Sequence, residues 1–159
     1  MNAGGRAHTF GLVPTHRPAH AFASRLMPTM KATTEMIHTT EALTILVVDD
    51  DALISMSTVD MLEDLGHRVL EASSGAQALK MLEAADRVDL VITDYSMPGM
   101  NGAELAEGIR LIRHDLPVLV ATGYSDLPPG SGMDLPRLGK PYSQEQLSRE
   151  IANLVPSRV

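Results

Sequence analysis

Four short apolar runs, each closing on polar residues and separated by amphipathic stretches, constrain this chain more than any other feature. They are TILVV at 44–48, RVLEA at 68–72, DLVIT at 89–93 and PVLVA at 117–121. Runs of this length bounded by polar and turn residues predict buried parallel strands, and parallel neighbours require a crossover helix between them. The expected class is therefore α/β. Asp51 is predicted to cap a first helix that carries Ile54, Met61, Leu62 and Leu65 and closes at Gly66. Ser74 with Gln77, Asn101 with Glu104 and Ser143 with Gln146 have the spacing of capping boxes or their close relatives. They precede three apolar patterns: Ala78, Leu79 and Leu82; Leu105, Ile109 and Ile112; and Leu147, Ile151 and Leu154.

The stretch 123–139 breaks the rhythm, because Pro128, Pro129, Gly130, Gly132, Pro136 and Gly139 crowd it. Any helix there is expected to be short or frayed, while Leu135 to Leu138 suit a fifth strand at the sheet edge, where a proline is tolerated. Residues 1–43 are different material. They hold Gly4, Gly5, Gly11, Pro14, Pro18 and Pro28, show no sustained period, and carry Arg6, Arg17, Arg25 and Lys31 against Glu35 and Glu41. That is a charge of +2, which leaves −9 for residues 44–159. A disordered extension over 1–43 is expected, its irregularly spaced His8, His16, His20 and His38 being solvated and not a metal cluster; Met30 or Met36 would serve as alternative starts.

Charge and composition narrow the function. With 20 Asp plus Glu against 13 Lys plus Arg, the formal charge is −7. That disfavours direct DNA binding through phosphate contacts and suits a cationic partner or metal ion. The chain has no cysteine, which excludes disulfides, thiolate zinc sites and thiol nucleophiles. No apolar run nears the ~18 residues of a membrane span, and no signal peptide is apparent, so a cytoplasmic protein without membrane contact is expected.

Ligands of an open parallel sheet sit beyond the carboxyl ends of its strands. There the first run leads into Asp49-Asp50-Asp51, the third into Asp94, the fourth into Thr122, and the presumed fifth into Lys140-Pro141. Right-handed crossovers bring these ends to one edge. Asp49, Asp50 and Asp94 in one pocket would repel one another unless protonated or met by a cation. Oxygen ligands favour Mg²⁺ over zinc, and Asp51 is set aside as a helix cap. Asp94 is the candidate nucleophile toward phosphorus, since the turn-rich YSMPGMNG that follows leaves its carboxylate open. Thr122 and Lys140 would supply the remaining donors to a phosphoryl group.

Residues 44–155 resemble the receiver (response-regulator, CheY-like) domains of bacterial two-component systems. The matching pieces are ILVVDD at 45–50, DLVITDYSMPGMNG at 89–102, PVLVATG at 117–123 and KPY at 140–142. The resemblance implies a doubly wound, flavodoxin-like five-stranded parallel sheet with five helices. It also implies an aspartate phosphorylated from a kinase or phosphotransfer-protein histidine. Carried over, it makes Asp94 the phosphoacceptor, puts Asp50 and the Ser96 backbone carbonyl on Mg²⁺ with Asp49 holding the ion through water, and gives Thr122 and Lys140 to the phosphate.

Two features depart from that family. The aromatic residue usual three positions before the lysine is replaced by Arg137, and the interval from Thr122 to Lys140 is short. With ATGY at 121–124, this is similar to a subgroup common in alphaproteobacteria whose fourth helix is poorly formed. Tyr124 is a candidate for part of the switching. The hypothesis is that phosphoryl binding draws in Thr122 and Lys140 and orders 123–133, leaving Arg137 on an outer, partner-facing surface. The chain ends four residues beyond Val155, at 156–159, so a stand-alone receiver is expected that binds an unknown output protein or drains phosphate from a pathway. It is a phosphoacceptor and not an enzyme acting on a separate substrate. Three rival readings fit the residues less well. A hydrolase of the haloacid dehalogenase type needs a second acid where Ser96 stands; a flavin binder would be repelled by Asp49-Asp50-Asp51; and a degenerate receiver acting only as an interaction module would lack a site residue.

Overall fold

In the computed structural model, which describes residues 41–123 and 134–156, strands and helices alternate as far as the fourth strand, as the apolar runs require. The order is β1 (Thr44–Val48), α1 (Ala52–Asp64), β2 (Arg68–Ala72), α2 (Gly75–Ala84), β3 (Leu90–Asp94), α3 (Gly102–Ile112), β4 (Val118–Thr122), β5 (Arg137–Gly139) and α4 (Gln144–Leu154). All strand pairs are parallel and the sheet order is β2-β1-β3-β4-β5. The fold is a doubly wound, flavodoxin-like α/β sheet, and its order reverses between β1 and β3, where such sheets open a crevice at their carboxyl edge.

Period-two alternation divides each central strand between two cores. Leu46, Val48, Val91 and Val120 pack with Ala78, Leu82, Leu105, Ala106 and Ile109 of α2 and α3. On the opposite face, Ile45, Val47, Leu90, Ile92 and Leu119 pack with Leu62, Leu147 and Ile151 of α1 and α4. Asp51, Ser74, Asn101 and Ser143 are the N-caps, and full capping boxes form at Asn101/Glu104 and Ser143/Gln146. The Ser74 cap differs in one respect: Gln77 turns back to the Ser73 amide instead of the cap residue's own. Gly66 closes the turn after α1 at φ +86°, a backbone conformation that costs a side-chain-bearing residue about 1–2 kcal/mol.

Several expectations need correction. β2 is not a buried strand, because as an edge strand it buries only Ala72. Ile54 is 37% exposed, and the face that α1 buries is Ser55, Thr58 and Leu62. Ile112 is likewise exposed, at the end of α3. The folded unit also begins ahead of Thr44: Leu43 is buried in the second core, its carbonyl accepts from the Arg68 amide, and Glu41 pairs with Arg87. The fifth strand lies two residues beyond the Leu135 start expected for it. Pro136 stands just ahead of it and contributes only its carbonyl, to the Val120 amide. Four helices are seen among the described residues. The helix expected between β4 and β5 falls on 124–133, and the tail expectations fall on 1–40 and 157–159; all lie outside the described residues.

Candidate functional site

Strand register alone assembles the site. Val48 pairs with Thr93, Asp94 with Ala121, and Thr122 with Gly139. The residues at or just after these strand ends, Asp49, Asp94, Thr122 and Lys140, therefore share the carboxyl edge of neighbouring strands. Asp49, Asp94 and Thr122 are buried, Lys140 is half-buried, and Asp50 is exposed at the rim. Lys140 is tied to β4 by its amide, which donates to the Thr122 carbonyl at 2.8 Å.

Its ammonium is shared. Lys140 Nζ donates to Asp94 Oδ1 at 2.7 Å and to Asp49 Oδ2 at 3.1 Å. The other Asp49 oxygen, Oδ1, accepts from the Asp51 amide at 2.9 Å. One carboxylate oxygen from each of Asp49, Asp50 and Asp94 lies within 4.8 Å of the others. Three carboxylates held this closely against one ammonium leave excess negative charge facing the rim. Their all-oxygen donor set fits a hard divalent ion such as Mg²⁺.

The electrostatics follow from this asymmetry. Burial pushes the Asp94 carboxyl above the ordinary aspartate range; the Lys140 hydrogen bond and charge oppose the rise, and Asp49 and Asp50 add to it. Burial pulls the Lys140 ammonium down, yet hydrogen bonds and charge from Asp94 and Asp49 outweigh it and hold its pKa above the usual lysine value. Lys140 gains two anions, whereas Asp94 gains one cation and two competing anions.

The loop after β3 brings its own constraints. Ser96 is exposed two residues beyond Asp94, and Gly99 turns the chain at φ +80°. Gly102 lies against the back of the phosphoacceptor candidate. A Cβ there would fall 2.6 Å from the Asp94 carbonyl oxygen and 3.1 Å from Tyr95 Cα, and the Gly102 amide donates to Tyr95 O. The sequence alone gives Gly102 no role; its one signal is a glycine opening a helix directly behind the Asn101 cap. Arg137 is exposed on β5. Tyr124 lies outside the described residues.

Residues 45–131, more than half of the chain, match the family described as the response regulator receiver domain, and the chain belongs to that family. It is 31% identical over 119 residues to the sensor kinase CckA of Brucella abortus, covering 70% of this chain and 12% of that protein. It is 43% identical over 82 residues to the chemotaxis protein CheY-3 of Vibrio cholerae, covering 49% of this chain and 62% of that one. The chain thus spans less than two thirds of these curated relatives. Among solved structures, a response regulator receiver protein from Sinorhizobium medicae superposes with a TM-score of 0.63 at 31% identity, over 75% of this chain and 98% of that one. The receiver domain of the sensor histidine kinase PA1611 from Pseudomonas aeruginosa superposes with a TM-score of 0.64 at 26% identity, over 73% of this chain and 99% of that one; it has a magnesium ion coordinated in its active site cleft. Among the described residues, no helix is long and apolar enough to cross a membrane.

Proposed function

We propose that the chain accepts a phosphoryl group on Asp94 from the phosphohistidine of a histidine kinase or histidine phosphotransfer protein. The observation that carries this reading is the Lys140 ammonium bridging Asp94 and Asp49 at the open edge of a three-carboxylate cluster. An Asp94 carboxylate oxygen attacks phosphorus, the P–N bond to the donor imidazole breaks with its electron pair returning to the ring, and an acyl phosphate forms. Asp49, Asp50, Asp94 and the Ser96 carbonyl would hold Mg²⁺, which supplies charge compensation to the phosphoryl oxygens. Lys140 exchanges its bond to the carboxylate for one to a phosphoryl oxygen, and the Thr122 hydroxyl donates to another. The buried setting of Asp94 keeps its open face for the incoming phosphorus and limits access of water.

The phosphorylated chain then signals by protein contact or drains phosphoryl groups from a pathway, acting in the cytoplasm and not as an enzyme on a separate substrate. An exposed Arg137 in place of an inward-turning aromatic supports the finer likeness to the ATGY subgroup, because a charged guanidinium is costly to move into an apolar slot. The alternative is a degenerate receiver that works as an interaction module only.

Labelling by phosphorylated kinase or by acetyl phosphate separates the two. Wild-type protein with Mg²⁺ is expected to incorporate phosphate, and Asp94→Asn or excess chelator to abolish it. Unchanged labelling of Asp94→Asn overturns the assignment, and absence of labelling in the wild type favours the degenerate reading.

A further inference from the structure

The lysine that bridges the site is carried on a short support. β5 has three residues and forms the sheet edge, so beyond the Lys140 amide bond to Thr122 the strand itself does little to fix the side chain. Two residues after Lys140, Tyr142 reaches across to α1, where its hydroxyl lies 2.7 Å from Thr58 Oγ1. Thr58 is 3% exposed, and its hydroxyl also lies 3.1 Å from the Ile54 carbonyl, to which it donates. A hydroxyl has one proton. Both bonds are made at once only when Thr58 donates to the Ile54 carbonyl and Tyr142 donates to Thr58. A second bond in the same place, from Gln144 Nε2 to the Met61 carbonyl at 3.1 Å, ties the start of α4 to α1.

The same helix is bound to the site at its other end. Asp51, the N-cap of α1, donates its amide to Asp49 Oδ1, and Asp49 Oδ2 accepts from Lys140. Site and helix therefore close a loop of contacts: Asp49 to Asp51, along α1 to Thr58, across to Tyr142, and back through Lys140 to Asp49. We propose that Tyr142, acting through Thr58, is a positioning residue for Lys140. It fixes the distance between the loop that carries the ammonium and the helix that orients Asp49, so that Lys140 is already placed when a phosphoryl group arrives. This inference rests on the phosphoacceptor reading and assigns a task to two hydroxyls that lie outside the acidic cluster.

The test is phosphoryl uptake from acetyl phosphate at saturating Mg²⁺ by the full chain, with Mg²⁺ affinity measured separately by calorimetry. Tyr142→Phe and Thr58→Val are each expected to slow uptake about fivefold, the worth of one net hydrogen bond expressed as a rate. The double variant should be no slower than either single one, and Mg²⁺ affinity should stay at the wild-type value. Thr58→Ser keeps the hydroxyl and should restore the wild-type rate, whereas Thr58→Ser as slow as Thr58→Val would reveal a packing role and overturn the proposal. The deciding arm places Tyr142→Phe in a Lys140→Ala background, where it should have no further effect. A further fivefold loss there, or wild-type uptake by Tyr142→Phe alone, overturns the proposal. Failure of the phosphoacceptor reading is separable, because it shows as undiminished labelling of Asp94→Asn.

Discussion

Lys140 Nζ lies closer to Asp94, at 2.7 Å, than to Asp49, at 3.1 Å, and both carboxylates are buried. The ammonium occupies the same region of charge that a divalent ion would neutralise. The two cations would therefore act against each other in the resting site and together once a phosphoryl group adds negative charge. Lys140→Met is expected to bind Mg²⁺ several-fold more tightly by calorimetry, because three carboxylates then face the ion without a competing charge. The same variant should take up phosphate at least about tenfold more slowly, having lost a charge-assisted hydrogen bond to the phosphoryl oxygens. Weaker Mg²⁺ binding in Lys140→Met would show that the lysine organises the ion site instead of opposing it.

Burial raises the Asp94 pKa, with a definite sign for stability. In the folded chain Asp94 holds its proton to higher pH than in the unfolded chain. Between the two pKa values the folded state binds more protons, and stability falls as pH rises through that window. In chelator at neutral pH, Asp94→Asn should therefore melt at a higher temperature than the wild type. The gap should close when the pH is lowered below the unfolded aspartate range, where Asp94 is neutral in both states, and it should narrow on adding Mg²⁺. A lower melting temperature for Asp94→Asn in chelator at neutral pH would contradict the burial argument.

Two glycines separate stability from function. Gly102→Ala drives a methyl group against the Asp94 carbonyl and Tyr95 Cα, both backbone atoms that cannot swing aside. It should cost about 1–3 kcal/mol as overpacking and also slow phosphoryl uptake, because the strain falls on Asp94. Gly66→Ala meets no neighbouring atom but sits at φ +86°. It should cost about 1–2 kcal/mol through the left-handed backbone alone and leave the uptake rate of the folded protein unchanged. Denaturant unfolding and acetyl phosphate labelling check both.

Much of this arrangement is legible in the sequence because strand ends carry it. The first two runs match β1 and β2 in full, and a parallel sheet with right-handed crossovers leaves Asp49, Asp94, Thr122 and Lys140 no other edge to occupy. Periodicity read less well on α1. Leu53, Ile54 and Met56 are exposed while Ser55 and Thr58 are buried, which inverts the usual pattern. Ser55 donates to Glu71 and Thr58 pairs with Tyr142, so each of these hydroxyls is buried with a partner supplied by a distant part of the chain. No local window contains those partners. Leu43 was missed for a related reason: it precedes the first strand and is buried by the second core, whose α4 residues stand a hundred positions away.

Asp51 and Asp50 are adjacent, and the structure gives them different work. Asp51 Oδ1 accepts from the Leu53 and Ile54 amides, the bonds of a helix N-cap, and its carboxylate is not part of the three-carboxylate cluster. Asp50 belongs to that cluster although it is exposed. Asp51→Ala should therefore lower stability by about 1 kcal/mol, the usual worth of a cap, with Mg²⁺ affinity held within about twofold because the backbone amide that orients Asp49 remains. Asp50→Ala should leave stability in chelator unchanged or raised, since it relieves repulsion, while Mg²⁺ affinity falls at least about tenfold on losing a carboxylate ligand. Paired denaturation and calorimetry on the two variants distinguish these patterns. A loss of Mg²⁺ affinity in Asp51→Ala comparable to that in Asp50→Ala would place Asp51 among the metal ligands.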